Sequence, residues 1–288
     1  MKTLREIIKE AEEKGVAIGH FNISNLEALH GIYNAAKKLQ VPVIIGVSEG
    51  EENFVGTEEV VSLIKTIRER DNFPIYLNAD HHATFESVKK CIDAGFDMVV
   101  IDGAKLPYEE NVELTKKCVD YAKEFFKQTG HDVLVEGELG YIGSGSNIKD
   151  SVPEGAGILT TPTDAKKFVD ETNIDILASS IGSVHGLIKS GKPHIDKQRT
   201  KEIKDIVKIP LVLHGGSGLR DEDFTNAINA GVSIIHINSE IRLAYKQALE
   251  KSLEESGEEI NPSKLLQGAV SAIESVVESR LKLFNKID

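Results

Sequence analysis

The sequence predicts an α/β protein, a (β/α)8 TIM barrel with an extra N-terminal helix and further C-terminal helices. Three observations carry this reading. Eight short runs rich in β-branched residues recur along the chain, separated by amphipathic helical stretches. The runs are almost continuously apolar, as parallel strands buried on both faces must be. No Ser/Gly-rich linker, charge block or shift of composition divides the 288 residues. Eight parallel strands alternating with helices close into a barrel, and such barrels use ~250 residues as one unit. Residues 1–288 are therefore expected to form a single domain.

In chain order, residues 2–14 read as a helix ahead of the first strand. Strands are expected at 16–22 (VAIGHFN), 41–48 (VPVIIGVS), 74–80 (PIYLNAD) and 98–102 (MVVID), then at 133–139 (VLVEGEL), 175–180 (DILASS), 210–214 (PLVLH) and 233–239 (SIIHINS). The helices between them are placed at 25–39, 58–70, 85–94, 109–128, 163–172, 199–207 and 221–230. Gly95 and Gly231 each follow a helix, where a left-handed C-terminal residue is favoured. Pro42, Pro74 and Pro210 each open a strand, a position that needs no ladder N–H. A long helical tail, 241–255 and 262–284, exceeds the eight units.

Composition excludes several classes. No run of about 18 apolar residues exists to span a membrane. The N-terminal segment Met1-Lys2-Thr3-Leu4-Arg5-Glu6 becomes charged at once, unlike a signal peptide. Cys91 and Cys118 are the two cysteines, expected as free, partly buried thiols in a reducing cytoplasm. A formal net charge of −12 leaves no large basic footprint for nucleic acid. An anionic substrate must then be held by local devices: a metal, backbone N–H groups or a few cations.

In a barrel, chemistry collects at the C-terminal strand ends. Polar residues collect there strand after strand: Asn22, Ser48, Asp80-His81-His82, Asp102, Glu136 and Glu138, His185, His214, His236 and Asn238. A catalytic zinc takes three protein ligands and keeps a fourth position open, and histidines from different strands converging on one rim suit it. Asp80 adds a carboxylate beside them. A helix N-cap would be its ordinary role, but Thr84 is better placed to cap the next helix. His214-Gly215-Gly216-Ser217-Gly218 follows the seventh strand, where glycines let backbone N–H groups approach a phosphate. Gly182-Ser183-Val184-His185-Gly186 frames a second histidine with glycines. Glu136 and Glu138 point to one side of the fifth strand, so they need a cation or a lysine partner.

At these residues the chain resembles the class II fructose-bisphosphate aldolase family, including its tagatose-bisphosphate branch. The matching stretches run from Leu4 to about Phe284. They are His20-Phe21-Asn22, Val47-Ser48-Glu49-Gly50, Asp80-His81-His82, the segment 101–107 (IDGAKLP), Glu136-Gly137-Glu138-Leu139-Gly140, and the two histidine–glycine loops above. The resemblance implies a catalytic Asp80, a Zn2+ on His81, His185 and His214, and second-metal carboxylates at Asp102 and Glu138. It implies substrate contacts at Asn22, Ser48, Gly186, Gly215, Gly216, Ser217, Asn238 and Ser239, with Arg280 toward a second phosphate. A monovalent cation (Na+ or K+) near the phosphate and a cytoplasmic homodimer or homotetramer are implied likewise. Two departures stand out. The loop after the fifth strand reads Gly143-Ser144-Gly145-Ser146-Asn147-Ile148-Lys149-Asp150, with Glu154 further on, in place of the family's Gly-Gly-x-Glu-Asp. His236 stands where the family often has Asn.

The expected activity is zinc-dependent, reversible aldol cleavage of fructose 1,6-bisphosphate to dihydroxyacetone phosphate and glyceraldehyde 3-phosphate. Tagatose 1,6-bisphosphate or another ketose phosphate is the nearest alternative. Three rivals remain at this level: a Schiff-base aldolase using Lys105, a metal-dependent epimerase or isomerase, and a non-catalytic barrel that binds metal and sugar phosphate.

Overall fold

The computed structural model describes residues 1–143, 145–154, 158–191 and 193–288. Eight parallel strands close into a barrel: β1 (Ile18–Asn22), β2 (Val43–Ser48), β3 (Ile75–His82), β4 (Met98–Ile101), β5 (Leu134–Leu139), β7 (Ile176–Ser179), β9 (Leu211–Leu213) and β10 (Val232–Ile237), with β10 pairing back onto β1. The two remaining strands, β6 (Ile148–Lys149) and β8 (Leu187–Ile188), form a small parallel sheet of their own above the rim of strand ends.

Helices α1 (Leu4–Lys14), α2 (Leu26–Leu39), α3 (Glu49–Val55), α4 (Thr57–Asp71), α5 (Phe85–Ala94) and α6 (Tyr108–Thr129) belong to the first half. Helices α7 (Pro162–Thr172), α8 (Lys197–Val207), α9 (Asp221–Asn229), α10 (Ser239–Glu255), α11 (Pro262–Leu265) and α12 (Gln267–Asn285) follow. The local signals act as the sequence suggests. Thr84 caps α5 by accepting from Ser87 N, and Gly95 ends it at φ +98°.

Alternation along the strands splits the apolar residues into two sets. One set, including Ile18, Ile44, Tyr76, Met98, Val100 and Ile234, forms a cluster with Leu4, Ile7, Ile8 and Ala11 of α1. Strand side chains alternate between faces, so this is the barrel interior, and α1 stops its N-terminal mouth. Tyr76 Oη donates to Lys2 O at 2.7 Å, fixing that plug. The other set packs outward against the helices. Helix α12 lies along α2 so closely that a Cβ on Gly31 would stand 2.7 Å from Ile273 Cγ2.

Three features differ from the sequence expectation. Helix α3 follows β2 directly, and its signal was the Ser48-x-x-Glu51 capping box. The tail helix expected at 262–284 breaks at Leu266 into α11 and α12. Cys91 and Cys118 are free, as expected, but fully buried rather than partly so. Among the described residues no helix is long and apolar enough to cross a membrane.

Candidate active site

With α1 closing one mouth, the open end of the barrel is the rim of strand C-termini. β3 is shaped there by a bulge. Ser48 of β2 stays in register with Asp80, yet the pairing of β3 with β4 slips between Ala79 and His82. His81 takes φ +53°, a left-handed conformation uncommon outside glycine. A bulge adds a residue and re-aims side chains. Here it lets two consecutive residues, Asp80 and His81, both line the cavity instead of alternating across the sheet.

His185 arrives from the loop after β7 and His214 from the end of β9. The ring centroids of His81 lie 4.9 Å from His185 and 4.7 Å from His214. One nitrogen from each of the three rings falls within 4.8 Å of the others. His81 Nε2, His185 Nε2 and His214 Nδ1 are buried with no hydrogen-bond partner among the described residues. Burial of polar atoms without partners is costly, so this arrangement fits a metal ion bound by three imidazoles. Carboxylates back the rings from behind. Asp102 Oδ2 is 3.1 Å and Glu138 Oε2 3.4 Å from His81 Nδ1, while Glu136 Oε1 is 2.7 Å from His214 Nε2. Such partners fix ring orientation and tautomer. The partners of Glu136 and Glu138 are thus histidines; among the described residues no lysine pairs with either. His81, Asp102 and Glu138 also offer a second group of potential ligands.

Protonation follows the charges. Burial opposes the ionised form of Asp80, but His81, His236 and His20 outweigh it and hold the carboxyl well below its usual range. Burial, reinforced by His81 and His214, keeps His185 neutral, the form that binds a metal. Burial pushes Glu138 up to about 7, against the opposing pull of His81.

The rest of the cavity comes from Asn22, Ser146, Gly186, Gly215, Gly216, Ser217, His236, Asn238 and Ser239. Gly186 and Gly215 have φ of +94° and +65°. Ser217 Oγ accepts from Asn238 N and Glu240 N at 3.2 and 3.3 Å, tying the glycine loop to the start of α10. A helix N-terminus with glycine backbone beside it is suited to an anion.

Two expected substrate residues are not brought to this cavity. Ser48 caps α3 and donates to Glu51 Oε2 at 2.9 Å. Arg280 is engaged by Glu240 and Asp221, each at 2.8 Å. Lys105 is exposed, and no lysine is among the described residues lining the cavity, which removes the support for a Schiff-base route. The loop after β5 contributes Ser146; Ser144 of that loop lies outside the described residues, and Glu154 is exposed. Sequence reasoning missed Glu51, a buried carboxylate that accepts from Asn22 Nδ2 at 2.8 Å. It also left His236 unassigned; its ring stacks between His20 and His214, with centroids 3.5 and 4.2 Å away.

Fold and rim together place the chain among α/β-barrel enzymes with a histidine cluster at the catalytic face. The family model for fructose-bisphosphate aldolase class-II matches residues 2–288. The chain is 37% identical over 285 residues to the fructose-bisphosphate aldolase of Geobacillus stearothermophilus, covering 98% of this chain and 96% of that one. It is equally similar to the probable fructose-bisphosphate aldolase of Bacillus subtilis. Among solved structures, the YdjI aldolase from Escherichia coli K12 superposes with a TM-score of 0.82 at 30% identity, over 98% of this chain and 96% of that one. The chain belongs to the class II fructose-bisphosphate aldolase family, and it is an aldolase, a carbon–carbon lyase.

Proposed function

We propose that the protein catalyses reversible cleavage of fructose 1,6-bisphosphate to dihydroxyacetone phosphate and glyceraldehyde 3-phosphate. The observation that carries this reading is the convergence of His81, His185 and His214 beside an ionised Asp80, in a cavity whose far wall is glycine backbone and a helix start. The names of the relatives support the substrate.

His81, His185 and His214 would hold Zn2+, which when bound supplies Lewis acidity toward the substrate ketone. Asp102 and Glu138 would hold a second divalent ion. Asp80 accepts the proton of the C4 hydroxyl in cleavage and returns it in condensation, a role worth ~10²–10⁴-fold in rate. Its depressed pKa keeps it ready to accept. Asn22 fixes its orientation through a 2.8 Å hydrogen bond to Oδ2. Gly186, Gly215, Gly216, Ser217, Asn238 and Ser239 would hold a substrate phosphate, so that its binding orients the reacting carbon.

The test is cleavage of fructose 1,6-bisphosphate by purified protein, before chelation, after it and after zinc is restored, with tagatose 1,6-bisphosphate in parallel. Activity lost with chelator and regained with zinc supports the proposal. Inactivity toward fructose 1,6-bisphosphate with zinc bound overturns it, and faster tagatose cleavage would reassign the substrate.

A further inference from the structure

Next to the rim, but outside the cavity lining, three side chains with no part in the aldolase chemistry meet: Glu52 of α3, His82 at the end of β3 and Cys91 of α5. All are buried, at 4%, 1% and 0% exposure. Cys91 Sγ stands 3.3 Å from Glu52 Oε2 and 3.9 Å from His82 Nε2, and those two atoms are 3.5 Å apart. The thiol donates to Glu52, but both contacts of His82 Nε2 are long for hydrogen bonds. A tetrahedral ion with metal–sulfur ≈ 2.3 Å and metal–nitrogen or –oxygen ≈ 2.0–2.1 Å sets S···N and S···O edges of ~3.5 Å and an N···O edge of ~3.3 Å. The three observed separations fall close to those edges.

We propose that Glu52, His82 and Cys91 form a separate transition-metal site for Zn2+ or a similar borderline-soft divalent ion such as Co2+ or Cd2+. The donors are suitably prepared. Glu52 Oε1 is held by Lys90 Nζ at 2.5 Å and by Thr57, which leaves Oε2 directed at the other two ligands. His82 Nδ1 is buried with no hydrogen-bond partner among the described residues, and Glu49 Oε1 stands 3.7 Å from it, so the proton can sit on Nδ1 when Nε2 gives its lone pair to an ion. Thiolate with imidazole selects zinc-like ions over Mg2+ or Ca2+. Binding breaks the Cys91 S–H bond, the sulfur pair goes to the ion and the proton to solvent. The thiolate and the Glu52 carboxylate then balance the ion's two charges. Thr57 and Lys90, which touch Glu52, also line a surface cleft, a route for the ion and for a water in the fourth position. The site would clamp α3 and α5 to the strand end that carries His81.

The full-length protein loaded with Co2+ tests this directly. A thiolate-to-cobalt charge-transfer band in the near ultraviolet is expected, since imidazoles alone cannot produce one. The band and one equivalent of bound metal should be lost in Cys91→Ser and kept in Cys118→Ser and His214→Ala. His82→Asn should weaken cobalt binding at the band by at least ~10-fold. Absence of the band in the unmodified protein at saturating Co2+, or its survival in Cys91→Ser, overturns the site. Should Cys91→Ser fail to fold, unchanged cobalt affinity of the band in both His82→Asn and Glu52→Gln overturns it equally.

Discussion

The side-chain amide nitrogen of Asn22 stands 2.8 Å from Asp80 Oδ2 and 2.8 Å from Glu51 Oε2, so one amide bridges two buried carboxylates. Glu51 is in turn held by Ser48, which donates from both Oγ and its backbone N at 2.9 Å, and by Arg242. The other oxygen of Asp80 faces His236 Nδ1 at 3.4 Å. The orientation of Asp80 is therefore set from two sides.

Asp80→Ala should reduce turnover at least ~10²-fold while the protein keeps its metal. Steady-state kinetics together with metal content decide this. Near-normal turnover would remove Asp80 from the mechanism.

Glu51→Gln replaces one acceptor of the Asn22 amide by a group that also donates. Asn22 then holds Asp80 less firmly, and kcat should fall ~10-fold with a smaller change in KM. Arg242 is 43% exposed, and its freed charge should cost little stability. Unchanged kcat would show that Asn22 needs no support from Glu51.

Gly186→Ala should act on binding. A Cβ there would meet Asn147 O at 2.4 Å, on a backbone at φ +94°. The loops must separate, so KM is expected to rise ~10-fold or more, and strain should destabilise the fold by about 1–3 kcal/mol. A variant with wild-type KM would place the phosphate elsewhere.

His20 should make the fold acid-sensitive. Burial is the main cause pushing it down to about 4 from 6.5, against the pull of Asp80. Between those values the unfolded chain binds a proton that the folded chain refuses, so stability rises with pH across this window. The contribution is complete above pH ~6.5 and falls away toward pH ~4, by ~3 kcal/mol in all. Urea midpoints of wild type and His20→Gln should converge or cross as pH falls from 7 to 4. A constant difference across that range would contradict a neutral, buried His20.

The barrel was readable because its strands are apolar runs bounded by caps and prolines; all eight recur within two residues of their expected ends. Asp80, His81, His185 and His214 were readable because strand ends are where a barrel gathers polar groups; the structure brings the first three into one cavity and sets the His214 ring 4.7 Å from that of His81. Other features left weaker traces. Glu51 and Glu52 sit on α3, a seven-residue helix too short and too acidic for an apolar period to reveal. The left-handed turn at His81 has no residue-type signal, since glycine is what announces such a position. Two-residue strands such as β6 and β8 fall below any periodicity. Arg280 follows the irregular junction at Leu266, so its distance along the tail did not translate into a position at the rim. It instead braces Glu240, which accepts from Gly218 N at 2.7 Å.

The small sheet of β6 and β8 joins two loops with different tasks. Leu187 N donates to Asn147 O, His185 N to Ile142 O, and Lys149 Nζ to His185 O, at 3.1, 3.0 and 2.6 Å. The segment that carries Ser146 to the cavity and the segment that carries His185 are thus laced into one lever. If the cavity takes a sugar phosphate at Ser146 and His185 takes an ion, as proposed above, the two binding events would be coupled through this lacing, each raising the affinity for the other by the same factor, because such coupling is reciprocal.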